Sequence, residues 1–193
     1  MGLRYKIWKK FAFLTAPRMI WGYKTLDGRI LRNTRVSNAT FIDHRENLVM
    51  DDHVYIGHFN YLEASHGITI GEGCQITNFV TITSHSSHNS LRAYGRSYIK
   101  TEKPAGYETG KVEIGKYCFI GPHSVIMPGT HIGKGSIVSA FSYVQGEFPP
   151  FSVIRGNPAK VVGSSRDADE ELIREHPELR DHYNEWAKEN GDS

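Results

Sequence analysis

Aliphatic residues recur at every sixth position over much of this chain. Met50, Ile56 and Leu62 keep the spacing, then Ile70, Ile76 and Ile82, then Ile114, Ile120, Ile126, Ile132, Val138 and Val144. Four residues after most of them stands a small or β-branched residue: Val54, Cys74, Val80, Cys118, Ser124, Thr130, Ser136 and Ser142. Asn60 and His66 break that second rule, and glycine often follows the aliphatic directly, as at Gly57, Gly71, Gly115, Gly121 and Gly133. Six residues make one short strand and one turn, so three units close a triangular coil whose inward aliphatics stack about 4.8 Å apart along the axis. The small residue fits the corner, and glycine permits close backbone packing or positive φ. The pattern predicts an all-β solenoid, a parallel β-helix.

Three phase resets define the coil further. Leu48-Val49-Met50, Ile68-Thr69-Ile70 and Val112-Glu113-Ile114 each insert two residues at a corner, and Leu48 to Ile68, 20 residues, is one complete turn. Ile68 and Val112 are 44 apart, one such turn and a further 24 residues, so an excursion leaves the coil between His85 and Lys111. Long insertions within a compact domain are usually functional. Cys74 and Cys118 share that separation and should stack inward in adjacent coils. Parallel neighbours point the same way, which suits disulfide geometry poorly, so both read as reduced core residues.

The organisation expected is a basic N-terminal helical segment over 1–35, a coil domain over 36–163 with its excursion loop at 86–111, and an acidic C-terminal helix within 164–193. The helices are placed at 3–16 and 167–189. Asp167 is the expected N-cap of the second, Leu172, Leu179, Tyr183 and Trp186 share one face, and Pro177 should kink it. Covering an open end of the solenoid or a neighbouring subunit is the plain role for both. Residues 1–35 hold nine Lys/Arg and one acid, and residues 167–193 hold ten Asp/Glu and three Lys/Arg. Either the two ends attract each other, or the basic, aromatic N-terminus makes peripheral contact with an anionic membrane surface or lipid-linked substrate.

Composition narrows the functions. Lys+Arg 23 against Asp+Glu 21 leaves only +2, which argues against a nucleic-acid partner. Two cysteines exclude a disulfide-rich secreted scaffold and a four-Cys zinc site. No apolar run approaches the ~20 residues of a membrane span. The apolar stretch near the N-terminus is short, with no small-residue cleavage site after it, so a signal peptide is not expected and a cytoplasmic location is.

The repeat with its single excursion resembles the hexapeptide-repeat acyltransferases, whose fold is a left-handed parallel β-helix, over about residues 36–163. The pattern is nearest to the maltose/galactoside and surface-polysaccharide O-acetyltransferases. Three stretches carry it: Ile70-Gly71-Glu72-Gly73-Cys74-Gln75-Ile76 leading to Ile82-Thr83-Ser84-His85; the re-entry strand Val112-Glu113-Ile114-Gly115-Lys116-Tyr117-Cys118-Phe119-Ile120-Gly121; and the closing Phe148-Pro149-Pro150 followed by Val153-Ile154-Arg155-Gly156-Asn157-Pro158-Ala159-Lys160-Val161-Val162. The resemblance implies acetyl transfer from acetyl-CoA to a sugar or polysaccharide hydroxyl, no metal, and a homotrimer with sites between subunits.

Histidine suits that reaction, because a sugar hydroxyl attacks a thioester only as a base removes its proton, and imidazole titrates near neutrality. His85, at the one large break in the repeat, is the catalytic candidate. His88, Arg92 and Tyr94 of the excursion are candidates for binding substrate, with Glu63 and His66 about one coil below His85; Ser65, His66 or Glu63 could orient the imidazole. For the cofactor, the resemblance points to Phe119, where the family usually has Trp and its indole N–H; to Ser139 and Ala140 along the pantetheine arm; and to Pro158 and Lys160 in the closing coil, the lysine suited to phosphate. Gly146 stands where a further basic residue is common. Two other readings are N-acylation of a nucleotide-linked amino sugar and a metal hydratase like the γ-type carbonic anhydrases, the latter prompted by ten histidines.

Overall fold

The computed structural model describes residues 2–188. Residue 1 and residues 189–193, with the expected end of the C-terminal helix, lie outside the described residues. Between its ends the chain visits three sheets in turn and returns to the first. Face one carries Tyr55–Ile56, Gln75–Ile76, Phe119–Ile120, Ile137–Val138 and Ser152–Gly156 in parallel. Face two carries Phe41–Asp43, Tyr61–Glu63, Thr81–Thr83, Val125–Ile126 and Tyr143–Val144. Face three carries Leu48–Met50, Ile68–Ile70, Val112–Ile114, His131–Ile132 and Glu147–Phe148. Leu48 pairs with Ile68 and Ile68 with Val112, the register that the spacings of 20 and 44 predict.

Strands of two or three residues have no stability alone; what holds them is the stack. All twelve in-phase aliphatics are at most 2% exposed, and the small residues after them are buried at the corners. Close approach explains one glycine directly: a Cβ on Gly121 would lie 2.6 Å from the amide nitrogen of Ala140 in the next coil. Cys74 and Cys118 are buried, free thiols in neighbouring coils, and burial pushes the Cys74 thiol well up.

The corner between faces one and two departs from expectation. Its left-handed position is filled by Phe59, Phe79, His123 and Phe141, with φ of 60°, 59°, 60° and 59°. Bulky residues held there cost roughly 1 kcal/mol each. Their rings form a column, with centroids 5.2, 4.9 and 4.8 Å apart and planes within 18°, and this stacking offsets the strain.

Both ends differ from the sequence reading. Of residues 1–35 only helix α1 (Leu3–Thr15) is helical. An antiparallel hairpin follows, Met19–Lys24 with Ile30–Ser37, turning through Asp27-Gly28 with Gly28 at φ 91°. Its second strand joins face one beside Tyr55–Ile56, so the coil begins before residue 36. The Asp-Gly turn marks a hairpin that the high basic charge obscures.

The excursion opens with helix α2 (His88–Tyr94). Beyond the coil, the expected single C-terminal helix is two: α3 (Ser165–Glu175) and α4 (Arg180–Ala187), separated by a 3-10 turn at Pro177–Leu179. Proline has no N–H to continue the ladder, so Pro177 starts a new element instead of kinking an old one. Ser164, not Asp167, is the N-cap, its hydroxyl accepting the Arg166 N–H at 3.2 Å. Ile173 and Ala187 are buried while Leu172 faces out. Trp186 stacks on Tyr117 at 4.6 Å and Phe151 at 5.7 Å, sealing α4 to the corner between faces three and one.

Candidate active site

The coil geometry brings together side chains that lie twenty residues apart. Glu63 pairs in register with Thr83, so its carboxylate lies one coil from the chain that turns outward at His85. The Glu63 side chain is 3% exposed. An ionised carboxylate is tolerated at such burial only when its lone pairs are filled, and here they are. Oε1 accepts the Ser65 N–H at 2.9 Å, and Oε2 accepts the Ser84 N–H at 3.2 Å and the Ser84 hydroxyl at 3.0 Å. His85 Nδ1 lies 2.7 Å from the same Oε2. Burial pushes the Glu63 pKa up, but the bonds from Ser65, His85 and Ser84 outweigh it and hold the group at about 2.

An anionic acceptor at Nδ1 fixes the imidazole tautomer. With Nδ1 donating to Glu63, Nε2 is the ring nitrogen left to accept a proton. Ser65 Oγ lies 3.2 Å from the same Nδ1 and 2.9 Å from His66 Nδ1, tying the two rings to one hydroxyl. The His85 ring stacks on Tyr107 at 5.4 Å, with the planes 24° apart. Its backbone pairs with Thr109 where the excursion returns, so both ends of the loop are clamped at this ring. A third of the His85 side chain remains exposed. The arrangement can accept a proton at Nε2, and Glu63 then stabilises the imidazolium.

A cavity of about 640 Å³ lies between His66 and the excursion; His85 is not on its wall but adjoins two residues that are, His66 and Tyr107. Tyr98, Glu102, Lys103 and Tyr107 are on its wall. Of the residues expected to meet substrate, His66 lines this space. Glu63 does not: it is buried behind the imidazole and faces no solvent. His88 is at the start of α2, held by Ser86 Oγ at 2.8 Å and 3.7 Å from Glu108. Arg92 donates to Asn89 Oδ1 at 2.5 Å, and the Tyr94 hydroxyl accepts the Ala105 N–H at 3.0 Å. Those two side chains knit the excursion together and are not on the cavity wall. Tyr107, with no repeat phase to flag it, was absent from the sequence-based candidates.

The candidates for the cofactor gather elsewhere. Phe119 projects from face one, half-exposed. Ser139 and Ala140 occupy the corner between faces one and two, and Pro158 and Lys160 the exposed closing hairpin. Arg155, missed as a candidate, pairs directly across that hairpin with Lys160 and donates to Ser139 Oγ at 3.3 Å. This collects two cations, a hydroxyl and an apolar strip, a donor set suited to a phosphate with a thin organic arm. His85 is at the corner between faces two and three. One prism therefore keeps the two groups on opposite edges of face two. Among the described residues no three His, Cys, Asp or Glu side chains converge as a metal site, and no helix is long and apolar enough to cross a membrane.

Comparison with known proteins matches residues 111–146 to the bacterial transferase hexapeptide (six repeats) family. A protein of Escherichia coli (strain K12), provisionally named as a lipopolysaccharide biosynthesis O-acetyl transferase, is 31% identical over 117 residues, 60% of this chain and 59% of that protein. The galactoside O-acetyltransferase of the same organism is 28% identical over 148 residues, 76% of this chain and 68% of the relative. The chain thus spans about three fifths to two thirds of these two relatives. Among solved structures, a variant of an N-acyltransferase from Bacillus cereus, in complex with dTDP-4-amino-4,6-dideoxyglucose and coenzyme A, aligns with a TM-score of 0.52 at 20% identity, over 75% of this chain and 89% of that one. That likeness is one of fold.

Proposed function

We propose that this hexapeptide-repeat chain is an acetyl-CoA-dependent O-acetyltransferase acting on a sugar or surface-polysaccharide hydroxyl, with the left-handed coil of the repeat family it resembles. The observation that carries the reading is the Glu63–His85 pair, an imidazole held through Nδ1 by a buried carboxylate and stacked on Tyr107, a wall residue of the cavity. The two relatives named for O-acetyl transfer support the choice of a hydroxyl acceptor. The acceptor O–H gives its proton to His85 Nε2 as its oxygen attacks the thioester carbonyl. The carbon–oxygen bond forms, the tetrahedral intermediate collapses, the carbon–sulfur bond breaks, and the imidazolium returns the proton to the sulfur of CoA. Throughout, Glu63 remains ionised and positions the ring.

The separation of the two residue groups supports a homotrimer. With His85 at one corner and Phe119, Ser139, Ala140 and Lys160 around another, a thioester reaches the imidazole when a neighbouring chain presents its own donor strip there. Arg155 and Lys160 hold phosphate, and Phe119 walls the arm. His66 and Tyr107 meet the sugar, with His88 at the loop entrance, in a cytoplasmic setting where Cys74 and Cys118 stay reduced.

The test offers acetyl-CoA with matched hydroxyl and amino forms of one sugar. Thiol release with an ester product is expected. An amide formed from the amino sugar in preference would overturn the hydroxyl assignment in favour of N-acylation, and no thiol release with any acceptor would overturn the reading altogether.

A further inference from the structure

Helix α1 presents an anomaly of burial. It is thirteen residues long and rich in large apolar side chains, yet none of its residues is buried. Leu3, Ile7, Trp8, Phe11, Phe13 and Leu14 are each 56–76% exposed. A helical turn of 3.6 residues puts Leu3, Ile7, Phe11 and Leu14 along one stripe. Lys10, Lys6 and Lys9 run round one side of the helix from the edge of that stripe, bordering one apolar hollow with Phe13 and Leu14, and Arg4 and Arg18 flank the helix. No acidic residue precedes Asp27. The adjoining strand adds Ile20 and Trp21, also exposed, on the same end of the molecule.

The acidic segment of the chain does not neutralise this end. On face one, Met19–Lys24 is the outermost strand at one edge and Ala159–Ser164 at the other. Tyr117, the ring Trp186 covers, adjoins the strand Phe119–Ile120, four strands in from Met19–Lys24 and so about 19 Å away along the stack. Among the described residues no ion pair joins α1 to α3 or α4. Among the described residues, the acidic helices therefore do not pair with the basic end within a chain.

We infer that α1 docks in the plane of an anionic lipid bilayer. The stripe of Leu3, Ile7, Phe11 and Leu14 enters the boundary of the acyl chains. Trp8 lies at headgroup depth, and the lysines, beside the stripe, extend their stems along it and reach up to lipid phosphates. Charge complementarity selects the partner: five cations without an intervening acid match a surface of anionic headgroups, whose field attracts juxtamembrane basic residues. A helix with nothing buried can dock without the coil giving up a contact. The inference does not rest on the acyltransferase reading.

The full chain is sedimented with vesicles of 30% phosphatidylserine and 70% phosphatidylcholine, and with phosphatidylcholine alone, at about 0.1 M salt. Binding to the anionic vesicles is expected to exceed binding to the neutral ones by at least about tenfold. The triple variant Lys6→Glu/Lys9→Glu/Lys10→Glu and the triple variant Ile7→Ser/Phe11→Ser/Leu14→Ser should each lower it about tenfold or more. Both variants should melt with the parent, since the altered residues touch no core. Equal binding to both vesicle types, no binding to either, or retention by either variant overturns the proposal. So does self-association of the chain that the variants abolish, which would mark α1 as a contact between copies.

Discussion

His85 and His123 stand at two different corners of the same coil, both in ring stacks, and their surroundings assign them opposite roles. His123 is sandwiched between Phe79 and Phe141 at 4.9 and 4.8 Å, in planes within 5°, and makes no ion pair among the described residues. His85 has Tyr107 on one side at 5.4 Å, the His66 ring at 6.1 Å, and at its Nδ1 a buried carboxylate. The first imidazole fills a rung in a packing column. The second is held through Nδ1 against that carboxylate, with a third of its side chain exposed. Residue type does not separate them; the break in the repeat beside His85 and the carboxylate behind its ring do. Function on a regular scaffold is written in what lies one coil away.

Substitutions can break that contrast. His85→Ala should lower kcat by about 10²–10⁴-fold, a loss read on protein that is still folded, since the variant also removes one partner of the buried Glu63 carboxylate. A loss under tenfold would remove the distinction. Glu63→Gln comes next. It should lower kcat by about tenfold or more with KM little changed, because charge behind the ring is lost and sugar contacts are not. It should also alter acid stability, read by chemical denaturation across pH. Glu63 falls from an ordinary 4.5 to about 2 on folding. Its contribution, up to about 3 kcal/mol, is therefore present above pH 4.5 and disappears as pH drops toward 2. The Gln variant should lack that window.

Trp186→Ala tests a ring stack with no assigned chemistry. It should cost about 2 kcal/mol in unfolding free energy, less than a fully buried tryptophan, with kcat unchanged. The smallest effect is expected at His123. Asparagine tolerates left-handed backbone, so His123→Asn keeps the φ of 60° and removes only the stack. A loss of about 1 kcal/mol with kcat within about threefold would sharpen the comparison; a hundredfold fall in kcat would dissolve it.

The coil was legible in the sequence because a buried position every six residues leaves no freedom: each of the twelve aliphatics has a neighbour above or below that it must match. The same register made Glu63 visible as a neighbour of His85, though not its burial, which depends on how Ser65 and Ser84 turn their donors. Tyr107 was not legible. The excursion has no period, and where its returning strand sets a ring depends on contacts formed by α2 and the residues after it. The aromatic column was hidden for another reason. Positive φ usually signals glycine, and here stacking between coils compensates large rings for the strain. The N-terminal hairpin was missed because its strands bury no period-2 face, which left the Asp27-Gly28 turn as its one local signal.

Face one ends, on both sides, in a strand that runs against its neighbour: Met19–Lys24 on Ile30–Ser37, and Ala159–Ser164 on Ser152–Gly156. A stack of parallel ladders otherwise presents, at each end, an unsatisfied row of amides that could accept another molecule in register and grow without limit. The reversed strands offer any newcomer the wrong polarity for continuing the spiral. They are terminators, and they turn a potentially fibrous arrangement into a particle of defined length.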